Sequence, residues 1–155
     1  MKSITSLVPY TEGKTERIMK PIPTRVLVIA DEKALTDLLK TSLDSTQYDV
    51  ITANSGKEGI EAALTQFPDV IILDLIIPGV EGWQIGKAIR EFSKVPILVL
   101  SAFDKPGMVA RALDGGADDF LIKPVSTDVL VAHLNKLTRR ARVTTESAAL
   151  LKKSG

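Results

Sequence analysis

The sequence predicts an α/β fold, a doubly wound parallel sheet with helices on both faces. Short apolar runs rich in valine, isoleucine and leucine alternate with longer segments whose apolar residues recur at helical spacing. Five such strand–helix pairs follow one another with short connections, and strands joined through helices lie parallel. The length of 155 residues suits one compact domain with a core of its own.

The first two strands flank an amphipathic helix. The apolar run Val26–Ala30 is typical of a strand buried on both faces, and Tyr48–Ala53 is again strand-like. Between them, apolar residues recur at helical spacing, at Ala34, Leu35, Leu38, Leu39 and Leu43. The domain therefore begins with a strand, a helix and a strand.

The second helix begins at a capping box formed by Ser55 and Glu58, in which the serine caps a backbone N–H and the glutamate reaches back. Pro68 ends this helix because proline cannot continue it. The buried run Asp69–Asp74 is the third strand, and a helix is predicted over Gly82–Phe92. The alternation of strand and helix thus continues.

Two further units complete the pattern. Pro96–Ser101 is the fourth strand, and the helix after it ends at Gly115 and Gly116. Phe120–Ile122 is a short fifth strand, and Ser126 caps the last helix. We therefore predict a flavodoxin-like (βα)5 sheet with right-handed crossovers and the strand order 2-1-3-4-5.

Three segments are expected along the chain. Residues 1–24 are polar, hold several prolines and show no apolar period, so they are interpreted as a flexible leader. The folded domain spans residues 25–141. Residues 142–155 are polar apart from one short apolar patch and are interpreted as a tail or a truncated linker. The basic residues at the end of the last helix are interpreted as a solvated cluster and not as a nucleic-acid site.

Composition limits the classes of protein to consider. A net charge of +1, from 20 basic and 19 acidic residues, gives no overall field toward nucleic acid or anionic lipid. The chain has no cysteine, which excludes disulfides and thiol nucleophiles. No apolar run suits a signal peptide or a membrane helix. We therefore expect a cytoplasmic protein without membrane contact.

Polar residues follow four of the predicted strands. Asp31 and Glu32 follow the first, Asp74 ends the third, Ser101 ends the fourth and Lys123 follows the fifth. In open α/β sheets the reactive groups collect outside the carboxyl ends of the strands, so we expect these side chains on one edge. Clustered carboxylates repel each other unless a cation lies between them, and hard oxygen ligands favour Mg²⁺. The sequence therefore predicts a Mg²⁺ site there.

Asp74 is the candidate nucleophile of this edge. An aspartate can take a phosphoryl group and form an acyl phosphate if cationic donors neutralise the charge on the phosphoryl oxygens. Lys123 and Mg²⁺ would do so, with Ser101 as a hydrogen-bond donor. The alternative role of Asp74 as a helix cap is poor, because the next helix starts only near Gly82. Glu32 is interpreted as a charge that favours a helix N-terminus.

Four segments, VLVIADE, LDLIIPGVEG, VLSA and FLIKP, resemble the signatures of response-regulator receiver domains. Pro78 and Gly82 follow Asp74 at family-like spacing, and the resemblance extends from Arg25 to Ala141. Around ADDF and SxxxLVAxLxxLTRRA the chain is most similar to the winged-helix transcription-factor branch of this family.

The resemblance implies a role for each residue of the edge. Asp74 is the phosphoacceptor, Asp31 is a metal-binding carboxylate, and the backbone carbonyl of Ile76 is a third Mg²⁺ ligand beside Asp74 itself. Ser101 bonds a phosphoryl oxygen and Lys123 pairs with the phosphoryl group. The implied cofactor is Mg²⁺.

The resemblance also implies a switch. Phe120 falls on the switch aromatic, which moves inward as the hydroxyl of Ser101 follows the phosphoryl group. The phosphodonor is a histidine kinase or a phosphotransfer protein, and partners read the face of the fourth helix, fifth strand and fifth helix, through which a homodimer can also form. The chain is a switch and not an enzyme, since it takes part only in its own phosphoryl transfer and dephosphorylation.

Two departures from the family bear on these expectations. The family usually has two adjacent acids after the first strand, and here Ala30 stands at the first position, so we predict weaker Mg²⁺ binding. In the last helix, His133 and Asn135 stand where the branch commonly has arginine, so Asp118 and Asp119 are expected to lack their usual partners. The second departure puts the homodimer in question.

Two alternatives are carried beside the receiver. A pseudo-receiver would keep the fold and bind a partner without phosphorylation, and Ala30 is the residue that raises this alternative. A phosphatase or mutase of the aspartate-nucleophile type would carry a second aspartate two residues after Asp74, where this chain has Ile76. This chain therefore lacks the general acid that such an enzyme requires.

Overall fold

The computed structural model describes residues 22–44, 47–77, 80–102 and 106–154, and it contains the parallel sheet that the sequence predicts. The order of the five strands is β2-β1-β3-β4-β5, so the predicted order 2-1-3-4-5 is confirmed. The strands are β1 Thr24–Ile29, β2 Tyr48–Ala53, β3 Val70–Asp74, β4 Ile97–Ser101 and β5 Asp119–Ile122.

A helix follows each strand of the sheet. The helices are α1 Lys33–Asp44, α2 Gly56–Thr65, α3 Gly82–Arg90, α4 Pro106–Asp114 and α5 Thr127–Ser154. Between β3 and α3, the short strands Ile76–Ile77 and Val80–Glu81 pair antiparallel. Helix α5 continues without interruption past Ala141, where the sequence places the end of the domain. The domain limits therefore stay a prediction, and the leader up to residue 21 lies outside the described residues.

Alternate residues of the central strands pack on opposite faces of the sheet. In β1, Leu27 and Ile29 belong to one core cluster, whereas Val26 and Val28 belong to the other. The first cluster includes buried side chains of α2, α3 and α4, namely Ala63, Ile85, Ile89 and Ala112. The second includes buried side chains of α1 and α5, namely Leu43, Leu130, Leu134 and Leu137. The sheet is therefore covered on both faces, as a doubly wound fold requires.

The predicted caps are present. Ser55 Oγ accepts from the N–H of Glu58 at 3.1 Å, and Glu58 reaches back to the N–H of Asn54 at 2.9 Å. The Oγ of Ser126 accepts from the N–H of Val129 at the start of α5. Gly116, just past α4, has a φ of 105°, a left-handed conformation that favours glycine. These local signals fix the helix ends that the sequence predicts.

Helix α3 is shorter than the predicted range Gly82–Phe92. It ends at Arg90, and the following turn is closed by bonds from Glu91 N–H to Ala88 O and from Phe92 N–H to Ile89 O. These bonds span three residues instead of four, the tighter pattern common in the last turn of a helix. The predicted and observed ends of α3 therefore differ because the last residues form a tighter, three-residue turn.

Candidate functional site

An ion pair between a buried carboxylate and a partly buried ammonium lies at the carboxyl edge of the sheet. Asp74 is the last residue of β3 and its side chain is 6% exposed, while the Lys123 side chain, directly after β5, is 26% exposed. Lys123 Nζ lies 2.9 Å from Asp74 Oδ2. The two residues are far apart in the chain and meet because parallel strands end on the same edge. A buried carboxylate needs a compensating charge, and Lys123 supplies it here.

Ser101 ends the strand that lies between those two. It is fully buried, and the register places Leu100 beside Asp74 and Ser101 beside Ile122. The N–H of Lys123 donates to the Ser101 carbonyl at 2.8 Å. The predicted trio of Asp74, Ser101 and Lys123 thus occupies the ends of three neighbouring strands.

Asp31 lies on the loop that leaves β1 at the same edge. Ile29 pairs with Leu73 in the register, so the chain leaves β1 at the level of Asp74. Asp31 is exposed, whereas Ala30 before it is buried. Within the described ranges, no group of three or more acidic, histidine or cysteine side chains could hold a metal ion. Asp31 and Asp74 therefore offer one carboxylate each from two different strand ends.

That donor set still fits Mg²⁺. This ion keeps several of its waters and is commonly bound through one or two carboxylates, so it does not require a cage of three acidic side chains. The carboxylates of Asp74 and Asp31 are the candidate ligands, with the Ile76 backbone carbonyl as the third. Ile76 lies two positions beyond Asp74, in the short hairpin before α3.

Gly82 gives a physical reason for the predicted spacing after Asp74. Its N–H donates to the carbonyl of Leu75 at 3.2 Å, and a Cβ at this position would lie 2.6 Å from Leu75 Cα. Only glycine allows α3 to begin this close to the residue that follows Asp74. Pro78, the other residue of this spacing, lies outside the described residues.

Phe120 stands next to the site on β5. It is half-buried, pairs with Val99 in the register and packs against the core cluster that contains Leu73. Its ring therefore contacts the core beneath the strand ends that carry the trio. The switch role of Phe120 stays a prediction.

Asn54 is a residue of this edge that the sequence reasoning missed. It follows β2, and its side-chain amide donates to the Ala30 carbonyl at 2.9 Å and to Thr36 Oγ1 at 3.1 Å. The rule that led to Asp74 and Lys123, polar residues at strand ends, applies equally to strand 2. Extending the rule to that strand would have found Asn54.

Asp119 has a partner within the chain, although the expected arginine is absent. Its Oδ2 lies 2.5 Å from His133 Nδ1, and its Oδ1 accepts from the N–H of Phe120. Burial raises the pKa of Asp119, but the hydrogen bonds from His133 and Phe120 and the charges of His133 and Lys136 outweigh it. The net result is a pKa below the ordinary value of 3.8.

Asp118 and Asn135 are also engaged within the chain. Asp118 Oδ2 accepts from Arg90 and from the N–H of Ile97, both at 2.8 Å. The hydroxyl of Tyr48 donates to the side-chain oxygen of Asn135. Burial raises the pKa of Tyr48, and a side-chain hydrogen bond with Gln47 offsets part of that rise. These contacts lie where the strands begin, at the edge opposite Asp74. The two acids, which lack their usual partners in the last helix, are therefore bound by other side chains.

Comparison with known proteins identifies the family. The model of the response regulator receiver domain matches residues 26–135. The transcriptional regulatory protein AfsQ1 of Streptomyces coelicolor is 37% identical over 125 residues, which are 80% of this chain and 56% of that protein. The alkaline phosphatase synthesis transcriptional regulatory protein PhoP of Bacillus subtilis is 35% identical over 127 residues, 81% of this chain and 53% of that protein. The chain thus spans about half the length of these relatives.

A solved structure agrees with the fold. A two-component response regulator from Clostridium difficile superimposes with a TM-score of 0.73 at 29% identity, over 76% of this chain and 98% of that one. The predicted resemblance to receiver domains, closest to the transcription-factor branch, is confirmed by the family match and the two transcriptional regulators. None of the helices in the described part of the chain is long and apolar enough to cross a membrane.

Proposed function

This chain belongs to the response regulator receiver domain family, and from that premise we propose that it accepts a phosphoryl group on Asp74 as part of a two-component signalling system. The observation that carries the proposal is the contact of 2.9 Å between Lys123 Nζ and the buried Asp74 carboxylate. A carboxylate held beside an ammonium at a strand end has both the nucleophilic oxygen and the positive charge that phosphoryl transfer requires.

The proposed step is a displacement at phosphorus. A carboxylate oxygen of Asp74 attacks the phosphorus of a phosphohistidine on a histidine kinase or phosphotransfer protein. The new O–P bond forms as the P–N bond breaks, so the imidazole leaves with its electron pair and Asp74 becomes an acyl phosphate. The ammonium of Lys123 then pairs with the phosphoryl oxygens, which carry the charge in the transition state.

Asp31, Asp74 and the Ile76 carbonyl are the residues proposed to hold Mg²⁺. When bound, the ion neutralises charge on the phosphoryl oxygens. Ala30 leaves this edge with one carboxylate fewer than the family usually has, so the chain's own contribution to ion binding is correspondingly small. Asp31 is exposed, which leaves its carboxylate accessible to a hydrated ion.

The output is proposed to lie on the face formed by α4, β5 and α5. Phosphorylation would draw the hydroxyl of Ser101 toward the new phosphoryl group and Phe120 inward, which biases this face between two arrangements. The face carries exposed apolar side chains, Leu113, Ile122 and Val129, that a partner protein or a second copy could cover.

We propose that the protein acts in the cytoplasm. We assign it no membrane contact, no enzyme activity on other substrates and no direct contact with nucleic acid through this segment.

Acetyl phosphate with Mg²⁺ tests the proposal, because it is a phosphodonor that needs no cognate kinase. We expect the wild-type protein to gain one phosphoryl group by mass spectrometry, and Asp74→Asn to gain none. Asp69→Asn is the matched control, since Asp69 precedes the same strand at its other end and its carboxylate accepts from Arg25 N–H. Asp69→Asn should be phosphorylated like the wild type.

Beryllofluoride provides a second readout, because it mimics the bound phosphoryl group. We expect it with Mg²⁺ to change the amide NMR spectrum of the wild type and to leave that of Asp74→Asn unchanged. If neither reagent distinguishes the wild type from Asp74→Asn, the phosphoacceptor role is wrong. The pseudo-receiver would then be the remaining interpretation.

A further inference from the structure

We propose that Asn54 is a positioning residue that holds the β1–α1 loop, and with it Asp31, in place for Mg²⁺. This inference rests on the proposed function, since it concerns the same edge of the sheet. It adds a residue that directly follows β2, the edge strand that contributes none of the groups assigned above. Asn54 acts through the loop backbone and contacts neither the metal nor the phosphoryl group.

One side-chain amide joins the two ends of the loop. Nδ2 of Asn54 donates to the Ala30 carbonyl at 2.9 Å and to Thr36 Oγ1 at 3.1 Å. The first acceptor lies directly before Asp31, and the second lies in the first turn of α1. Asp31 and Glu32 therefore lie on a short segment that is fastened at both ends by the same group. We refer to these two hydrogen bonds as the Asn54 brace.

The two acceptor residues of the Asn54 brace are buried. Ala30 and Thr36 are each 1% exposed, so water competes little with the Asn54 amide for their carbonyl and hydroxyl oxygens. Thr36 Oγ1 also donates to the Lys33 carbonyl at 3.0 Å, which extends the contact into the helix. Loss of the amide would leave the buried Ala30 carbonyl without this donor. The loop would then lose the side-chain contact that holds it against the end of β2 and keep only the backbone bond from Ala30 N–H to the Ala53 carbonyl at 3.0 Å.

Asn54 is itself held from the following helix. Its backbone N–H donates to Glu58 Oε1 at 2.9 Å, a bond to the Glu58 side chain in which Ser55 Oγ takes no part. Asn54 is thus tied to the first turn of α2. Because Ala30 supplies no carboxylate, ion binding depends more heavily on how accurately Asp31 is placed, which is the step that the brace controls.

The test uses Mg²⁺ alone, on the full chain without phosphodonor. Calorimetric titration should give Asn54→Ala a dissociation constant about 10-fold higher than that of the wild type, the size of effect seen when outer residues of a metal site are removed. Ser55→Ala is the matched control: it perturbs the same strand end by removing the α2 cap but leaves both acceptors of the brace in place. It should bind Mg²⁺ with wild-type affinity.

Amide hydrogen exchange without metal provides the independent readout. The N–H groups of Leu35 and Thr36, which bond to the Glu32 carbonyl, should exchange faster in Asn54→Ala and at the wild-type rate in Ser55→Ala. Thr36→Val removes one acceptor of the brace and serves as the second variant if Asn54→Ala does not fold. It should shift both readouts in the same direction by a smaller factor.

The possible results separate the two proposals. Wild-type Mg²⁺ affinity in the brace variants, or an equal loss in Ser55→Ala, overturns the positioning role and leaves the phosphoacceptor proposal intact. Unchanged exchange at Leu35 and Thr36 also overturns it. If the wild-type protein does not bind Mg²⁺ at all, the proposed metal site and the positioning role fail together.

Discussion

Both edges of the sheet carry charged side chains. Carboxylates at the amino edge hold backbone groups, whereas Asp74 and Lys123 at the carboxyl edge form a partly buried ion pair. At the amino edge, Asp69 accepts from the N–H of Arg25 and Asp118 accepts from the N–H of Ile97, both at 2.8 Å. These carboxylates satisfy backbone donors at the starts of strands, which would otherwise be without partners. They are part of the structure of the sheet.

At the carboxyl edge, the strand ends are closed by backbone hydrogen bonds. Leu75 N–H donates to Leu100 O at 3.1 Å, and Lys123 N–H donates to Ser101 O at 2.8 Å. The side chains of Asp74 and Lys123 are instead bonded to each other and are more deeply buried than the Arg25 and Asp49 pair at the amino edge. The amino-edge charges therefore stabilise the fold, and the difference supports the proposal that the carboxyl-edge pair takes part in phosphoryl transfer.

Replacing Lys123 should have the largest effect on function. In Lys123→Met, the rate of phosphorylation by acetyl phosphate should fall about 100-fold, because one charged donor to the phosphoryl oxygens is lost. The free energy of unfolding should also fall by about 2 kcal/mol, since Asp74 stays buried without its ammonium. The rate is measured by phosphoprotein mass spectrometry and the stability by urea unfolding.

A double variant separates the two effects of this change. Asp74→Asn/Lys123→Met has no uncompensated carboxylate, so it should regain most of the lost stability and none of the phosphorylation. A Lys123→Met protein that is phosphorylated at the wild-type rate would contradict the role given to this residue.

Replacing Arg90, at the amino edge, should lower the stability of the fold without slowing phosphorylation. Its guanidinium donates to the Gly116 and Val95 carbonyls and to Asp118, so Arg90→Met should lower the free energy of unfolding by about 3 kcal/mol. Phosphorylation of the folded protein should proceed at the wild-type rate. A loss of rate comparable with that of Lys123→Met would show that the two edges are not separate in function.

The smallest expected effect concerns pH and Asp119. Because its pKa is lowered in the folded protein, the stability that it contributes is fully present above its ordinary pKa of 3.8 and is lost as the pH falls through the lowered value. Asp119→Asn should lose less than about 1 kcal/mol at neutral pH and should lack this acid-side decline. Urea unfolding across the acid range compares the slopes. An identical slope in both proteins would contradict the assignment.

The fold and the centre of the site follow from patterns that sequence carries directly. Apolar runs, the Ser55 and Glu58 spacing and the strand-end positions of Asp74 and Lys123 predict where the strands lie and which side chains share an edge. The strand-end rule extends to Asn54, but nothing in the sequence indicates the partners of Asn54 or of Arg90. Both act on carbonyl groups of distant segments, and any residue has a carbonyl, so only the folded chain identifies their partners.

The partners of Asp118 and Asp119 show a second limit on what the sequence predicts. The absence of arginine at 133 and 135 is visible in the sequence, and Asp118 and Asp119 do lack those usual partners, but other side chains take their place. His133 itself bonds to Asp119, and Arg90 reaches Asp118 from another helix. A comparison with the family identifies which partner is missing, and the fold decides which residue replaces it.

Helix α5 has a mechanical consequence because it runs unbroken from Thr127 to Ser154. Residues 142–154 alone extend about 20 Å at the ordinary rise of an α-helix. A tilt of about 5° at the root of such a rod displaces its far end by about 2 Å. A small rotation of helix α5 beside the sheet would therefore displace its far end by enough to make or break a contact there.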